Sequence, residues 1–479
     1  MTTPATAILG IDLGTTEVKA GLVGLDGRLL AMARAGYGLD VGHGPGWAEQ
    51  DPAAWWSAVV VAVRALRPPE PVDVVAIGVD GHGPTLAAVD ERGEATRPAI
   101  TFLDTRATAE ADELAAATGI RGWALGPLPA ALWLERHEPD VAQRTRWYLT
   151  TWEWLALRLT GVAAAPLVPG QAIPDPIAVA KATGLHVERR PPETAMGSIV
   201  GELSGLPAEA LDLRAGIPVA GGTNDAFASY LGAGLTQAGD AYDPGGSAGG
   251  FGVYWHEPVE VPGAFVTPAP LEGLFSVGAA MAATGRALDW FRDSVLGGGV
   301  TTERLLEEAA TTPPGADGVI FLPYLAGERS PIWDPTATGA FVGLTLAHGR
   351  AHLGRAILEA SALAIRHVAE PMLAAGVVVT AMRACGGPAR SETWNQIKAD
   401  VTGFPVLVPA VLETAVLGSA ILGAVAIGAS PDVRTGVRAM TRIERRLDPR
   451  PEYRATYDWA YAVYRGLYPA LAPLLRSSP

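Results

Sequence analysis

The apolar run Ile8-Leu9-Gly10-Ile11 ends in Asp12, and Gly14, Thr15, Thr16 and then Lys19 follow closely. A buried strand that delivers a carboxylate to its end, beside a turn whose successive N–H groups converge, suits phosphate oxygens and a Mg²⁺ bridging them. Thr15, Thr16 and Lys19 add further donors. A tight hairpin with polar turn residues would use the same residue types. No GxxxxGK[ST] pattern is present, so this is not a Walker A loop. The second candidate is Gly221-Gly222-Thr223-Asn224-Asp225, where a strand again ends in glycines and an acid. Asn and Asp are both favoured caps at a helix N-terminus, each worth about 1 kcal/mol, and Asp225 could be such a cap. The helix dipole there is expected to keep Asp225 ionised. An ionised carboxylate could take a proton from a hydroxyl.

Four further segments carry chemistry-bearing residues. Asp243-Pro244-Gly245-Gly246-Ser247-Ala248-Gly249-Gly250 is dense enough in glycine for a backbone to approach a ligand closely, or to form a hairpin tip. Cys385-Gly386-Gly387-Pro388-Ala389-Arg390-Ser391 is a glycine turn before a helix, which suits a nucleotide but is also an ordinary strand-to-helix loop. Gly81-His82-Gly83-Pro84, with Asp104 and Arg106 downstream, could hydrogen-bond a polyhydroxylated ligand. His82 could equally be a satisfied loop residue, and Asp104 with Arg106 a local ion pair. Gly327-Glu328-Arg329-Ser330-Pro331, with Trp333-Asp334 and then Gly339-Ala340-Phe341, is a further candidate, though its adjacent opposite charges could be only a surface pair of little energetic weight. Trp123, Trp133, Trp152 and Trp154 are core or could wall a sugar pocket.

The elements that must hold these residues form an α/β pattern. Strands are expected over Ala7 to Asp12, Glu17 to Leu25 and Leu29 to Ala35, with Asp26-Gly27 as a hairpin signal. Asp51-Pro52 opens a helix, with Asp as cap and Pro in the first turn. Val72 to Val79 and Thr85 to Asp90 return as strands. The second half echoes this order. Ile217 to Gly222 is a strand leading into an alanine-rich helix, and Ala241 to Trp255 is a glycine-rich hairpin. Leu353 to Ala375 is a long helix, Ser391 caps another, and Val406 to Val408 is a strand before an apolar helix that follows Glu413. A boundary is expected near residue 243, between two lobes of similar size.

Composition limits the partners. The 479 residues include 36 Lys plus Arg and 50 Asp plus Glu, so the net charge is 36 − 50 = −14. An acidic chain disfavours nucleic acid as a general partner. The single Cys385 excludes an intramolecular disulfide framework and a cysteine-based zinc site. The stretch from Thr414 is rich in Gly, Ala and Ser, and reads as a closely packed buried helix rather than a membrane span. With no apolar leader after Met1, a cytoplasmic protein without a membrane partner is expected.

In this order, from Ile8 to about Gly428, the motifs closely resemble the FGGY family of carbohydrate kinases. The resemblance implies an α/β fold of two ribonuclease-H-like lobes, the actin-like ATPase architecture, around a central cleft. It implies residues 1–243 as the sugar-binding lobe carrying the catalytic base, and 244–479 as the nucleotide-binding lobe. The activity it implies is transfer of the γ-phosphoryl of ATP to a sugar or polyol hydroxyl, with Mg²⁺. Carried over by position, Asp12 lies near the metal, and Gly14, Thr15, Thr16 and Lys19 serve the first phosphate loop. Asp225 matches the base. Gly245, Gly246 and Ser247 match the second phosphate loop, with Gly246 where Thr is common. Gly386, Gly387, Ala389 and Arg390 match the adenosine motif, with Pro388 where a third Gly is usual. Leu322 to Leu346 is similar to the family's signature. Gly81 and His82, with Gly81 in place of Met, resemble the sugar-contacting segment of xylulose kinases. Asp104 and Arg106 follow Phe102, where Trp is usual. A pentulose such as xylulose is the expected substrate, with ribulose or another ketose or polyol as alternatives, and a homodimer is expected from the family. A chaperone-like ATPase of the same superfold and a catalytically silent sugar sensor are rival readings.

Overall fold

The computed structural model describes residues 4–475, apart from positions 43, 45, 172, 173 and 247. Ser247, expected in the second phosphate loop, lies outside the described residues. The chain divides into two compact units. The first runs to Gly234 and takes in Pro268–Glu272 and Glu413–Thr441. The second comprises Leu235–Thr267, Gly273–Leu412 and the chain from Arg442 onward. The sequence places a single cut near residue 243, whereas the packing divides the chain at Gly234 and returns a later segment to the first unit.

The first unit opens with β1 (Ala5–Leu13), β2 (Glu17–Gly24) and β3 (Leu29–Gly36), an antiparallel meander. Helix α1 (Pro52–Arg64) starts where Asp51 accepts from Ala53 N at 2.9 Å, as the Asp-Pro pair implies. Strand β4 (Val72–Gly81) returns parallel to β1, with Asp12 beside Asp80. The strand expected over Thr85 to Asp90 is confined to Ala87–Val89. Helix α2 (Thr151–Thr160) follows. Strand β5 (Pro218–Ala220) joins β4 in parallel, and Thr223-Asn224 then lies alongside Asp80-Gly81 before α3 (Asp225–Gly232). The sheet order β3-β2-β1-β4-β5 leaves Asp12, Asp80 and Asp225 at one end, where the parallel strands finish.

The second unit repeats this plan. Its meander is β6 (Asp240–Asp243), β7 (Gly250–Trp255) and β8 (Phe275–Ala280). The long helix α4 (Arg350–Ala374) precedes β9 (Ala381–Ala384), which pairs parallel to β6. Helix α5 (Glu392–Thr402), capped by the Ser391 side chain, leads to β10 (Val406–Pro409), parallel to β9. The order β8-β7-β6-β9-β10 matches the first sheet strand for strand.

Helix α6 (Thr414–Ala426) then packs back on the first unit. Its small residues let backbones touch. A Cβ on Gly78 of β4 would meet Ser419 O at 1.7 Å, and one on Gly418 would meet Ala228 O at 1.9 Å. The helix is buried from Thr414 to Ala424, and among the described residues no helix is long and apolar enough to cross a membrane.

Candidate active site

Three carboxyl groups meet where β1, β4 and α3 converge. Asp12 is 4% exposed and Asp80 is fully buried. Lys19, opposite Asp12 on β2, places Nζ 3.5 Å from Asp12 Oδ2 and 3.4 Å from Glu413 Oε2. Burial alone would lower the Lys19 pKa, but Asp12, Glu413 and Glu17 hold it above the usual value. The expected phosphate donor is thus a charged ammonium already flanked by two carboxylates.

Asp80 is pushed well above the carboxylate range, first by burial and then by the Asp12 charge. It accepts from the Ser419 hydroxyl of α6. A carboxyl pushed upward beside another carboxyl is what two such groups sharing a buried site produce. Asp12 Oδ1 and Asp80 Oδ1 are both buried without a hydrogen-bond partner among the described residues.

Asp225 differs from the sequence expectation in two ways. The cap of α3 is Asn224, whose side chain accepts from Phe227 N at 2.8 Å, and Asp225 is the first helical residue. Its Oδ1 accepts from Ala226 N at 2.7 Å. The helix N-terminus does not keep it in the ordinary range. Burial and the Asp12 charge raise its pKa to about 7, against the lowering by the backbone N–H groups and Lys19.

The first turn is held from behind. Gly14 N donates to Glu17 O at 3.1 Å, the Tyr37 hydroxyl donates to Gly14 O, and Gln50 Nε2 donates to Thr15 O at 2.7 Å. Thr16 is exposed and Thr15 half-buried. Burial and then the Asp12, Asp225 and Glu17 charges raise the Tyr37 pKa.

His82 follows Gly81 out of β4. Its ring lies edge-on to Trp55 at 5.6 Å and 5.9 Å from Phe102. Burial lowers its pKa to about 3, so it is neutral. Nδ1 is 3.0 Å from Thr85 Oγ1, which itself accepts from Phe102 N. Nε2 is buried and unpartnered among the described residues, as is Trp152 Nε1. The segment packs on the start of α2: a Cβ on Gly83 would sit 3.0 Å from the Trp152 ring, and one on Gly81 would meet Thr151 Oγ1 at 2.3 Å. Gly81 therefore has no room for a longer side chain such as Met.

Asp104 and Arg106 bind each other. Asp104 accepts from Arg106 N at 2.9 Å and Nε at 2.8 Å, from Arg106 Nη2, and from Ala48 N at 2.7 Å. Four bonds use the acceptor capacity of a carboxylate. Arg106 also reaches Glu49 at 2.7 Å and lies 3.6 Å over the Trp47 ring. The local ion pair admitted from the sequence is what the geometry displays.

In the second unit, Asp243 ends β6 beside Ala384 of β9, so the two glycine turns leave adjacent parallel strands. Gly245 and Gly246 both have positive φ (60° and 72°). A Cβ on Gly386 would meet Pro244 O at 2.8 Å, so the turns are in backbone contact. Open space faces Gly246 and Gly387, Ala389 is buried, and Arg390 is exposed. Glu328 corrects the surface-pair expectation. It is 4% exposed, accepts from Ala282 N and Arg329 N at 2.9 and 2.8 Å, and burial raises its pKa to about 7.

Asp80, Tyr37, Glu413 and Ser419 were not singled out from the sequence as site residues. Asp80 did carry a signal, since an acid closing the apolar run of β4 repeats the pattern of Asp12 on β1. Among the described residues no cluster of three or more His, Cys, Asp or Glu could hold a metal. A Mg²⁺ that keeps waters and phosphate oxygens needs only one or two carboxylates. The unpartnered Asp12 Oδ1 fits that requirement.

Two duplicated ribonuclease-H-like units, each with loops at the ends of its parallel strands, define the class of actin-like phosphotransferases. Comparison with known proteins agrees. The N-terminal domain of the FGGY family of carbohydrate kinases matches residues 7–166, and its C-terminal domain matches 246–427. Xylulose kinase of Escherichia coli strain K12 is 33% identical over 424 residues, covering 82% of this chain and 84% of its own. Gluconokinase of Bacillus licheniformis is 27% identical, covering 85% of each chain. The crystal structure of xylulose kinase from Rhodospirillum rubrum superposes with a TM-score of 0.81 at 30% identity, covering 98% of this chain and all of that one. The chain belongs to the FGGY family of carbohydrate kinases and is a sugar kinase.

Proposed function

We propose that the protein phosphorylates a hydroxyl of a pentulose such as xylulose with ATP, and that Asp225 is the general base. The observation that carries this reading is the Asp225 carboxyl, with a pKa of about 7, beside Asp12. A base with a pKa near the working pH balances being ionised against being basic enough to accept a proton. Phosphoryl transfer otherwise asks mainly for positioning and charge neutralisation. His82 Nε2 and Trp152 Nε1 are unpartnered groups of the kind that sugar hydroxyls satisfy. Asp104 and Arg106, held by each other, by Ala48 N and by Glu49, would brace the loop behind Phe102 rather than touch the sugar. Asp12 would hold Mg²⁺, which when bound neutralises phosphate charge that an acidic chain otherwise repels. Lys19 and the N–H groups of the Gly14–Thr16 turn would meet phosphate oxygens. The turns at Gly245-Gly246 and Gly386-Gly387 would serve the nucleotide.

A coupled ADP-release screen over pentuloses, hexuloses, tetritols, glycerol and gluconate, with Mg-ATP, tests the substrate. Xylulose or ribulose is expected to give the highest kcat/KM, and a clear preference for gluconate would overturn the pentulose reading. Asp225→Asn is expected to lower kcat by about 10²–10⁴ while ADP affinity stays within twofold. Near-normal turnover by this variant would remove Asp225 as the base.

A further inference from the structure

Helix α5 carries two buried polar side chains one turn apart, each reaching a different glycine turn. Lys398 is 2% exposed and its Nζ contacts Asp243 Oδ2 at 2.5 Å. The other oxygen of Asp243 accepts from Gly245 N at 2.9 Å, so the carboxylate is clasped between a helix and the turn that follows it. Asn395 is fully buried, and its Nδ2 donates to Ala389 O at 2.7 Å, inside the second turn. Residues at i and i+3 share one helix face. The N-terminus of α5 is fixed as well, because Ser391 Oγ accepts from Trp394 N.

We propose that Lys398 and Asn395 are positioning residues that hold the Gly245 and Gly386 turns in register for nucleotide phosphate. The inference rests on the nucleotide reading of those turns given above. Three physical points support it. A buried ion pair contributes little net stability over apolar side chains of the same size, so its retention in this place asks for another role. The two turns touch through backbone at Pro244 and Gly386, with open space beside Gly246 and Gly387, so a shift of one turn carries the other with it. Finally, Asp243 without Lys398 would leave a buried negative charge at the root of a loop meant for phosphate, opposing the ligand.

The experiment measures ADP binding by calorimetry, and local amide exchange across residues 243–250, in the intact protein. Lys398→Met is expected to weaken ADP binding at least tenfold and to speed exchange at Gly245, with exchange in β7 and β8 unchanged. Asn395→Ala is expected to weaken ADP binding about threefold to tenfold. Should Lys398→Met not fold, Lys398→Met with Asp243→Asn strands neither charge. It is expected to fold and still bind ADP at least fivefold more weakly. ADP affinity within twofold of wild type in the folded variants would overturn the inference, as would exchange that rises uniformly over the second unit. Wild-type protein that binds no ADP would instead overturn the nucleotide reading itself, and this inference with it.

Discussion

At the scale of single residues, Asp225 makes the pH dependence specific. A base with a pKa of about 7 must be ionised to act, so kcat/KM is expected to rise with pH through about 7 and then level off. Stability has the opposite sign. A carboxyl whose pKa is raised on folding favours the native state below its unfolded value, near 4, and that contribution is lost as pH rises through about 7. Asp225→Asn should therefore barely change Tm at pH 4, where the wild-type carboxyl is neutral in the fold. At pH 8 it should raise Tm by roughly 2–4 °C, the shift about 1 kcal/mol gives in a domain of this size. Equal shifts at both pH values would remove the Asp225 charge as the cause. Asp80 makes a different demand. If it is protonated between Asp12 and Ser419, an amide can imitate it, donating to one and accepting from the other. Asp80→Asn is expected to keep Tm within about 2 °C, whereas Asp80→Ala leaves a hydroxyl unpaired and a gap, and costs about 2–3 kcal/mol. Urea unfolding of the two variants checks this, and equal losses would show that Asp80 is ionised.

At the scale of elements, local signals were legible and distant ones were not. The Asp51-Pro52 cap, the Asp26-Gly27 hairpin and the Asp12 turn depend on neighbours in sequence, and each forms where the residues indicate. So does the buried helix after Glu413. The fate of that helix was hidden, because the Ser419–Asp80 bond joins residues 339 apart. The raised pKa of Asp225 was hidden for the same reason. Its causes are burial first and then the Asp12 charge, both created only by packing, and they outweigh the backbone N–H bonds at the start of α3 and the Lys19 charge. Gly418 shows how local and distant rules conflict. Helix propensity alone says that Gly418→Ala should stabilise α6 by about 1 kcal/mol. The Cβ would lie 1.9 Å from Ala228 O, so α3 must move away. Overpacking of that kind costs about 1–3 kcal/mol, and α3 begins with Asp225. Gly418→Ala is expected to lower the urea midpoint and reduce kcat by at least tenfold. A higher midpoint would mean that the two helices are not in backbone contact.

At the scale of the whole molecule, the discontinuity of the first unit decides how the chain should unfold. Glu413–Thr441 belongs to the unit built from β1 and β4, although it follows β10 of the other unit directly in sequence. Its helix α6 covers Gly78 and meets Gly10, where a Cβ would lie 2.3 Å from Val416 O. Cooperative unfolding groups residues by packing rather than by chain order. Native-state hydrogen exchange in rising denaturant should therefore show amides of Val416 to Ala424 opening together with those of Leu9, Ile11 and Ile77. Those of Val406 and Val408, a few residues earlier, should open with β9. The two groups are expected to separate in denaturant, because each unit has its own buried core. A chain truncated after residue 412 should lose protection in the first unit while β6 to β10 retain theirs. If amides of α6 instead opened with β10, the helix would belong to the second unit, and the Ser419 bond that steadies Asp80 would not survive as a constant feature of the site.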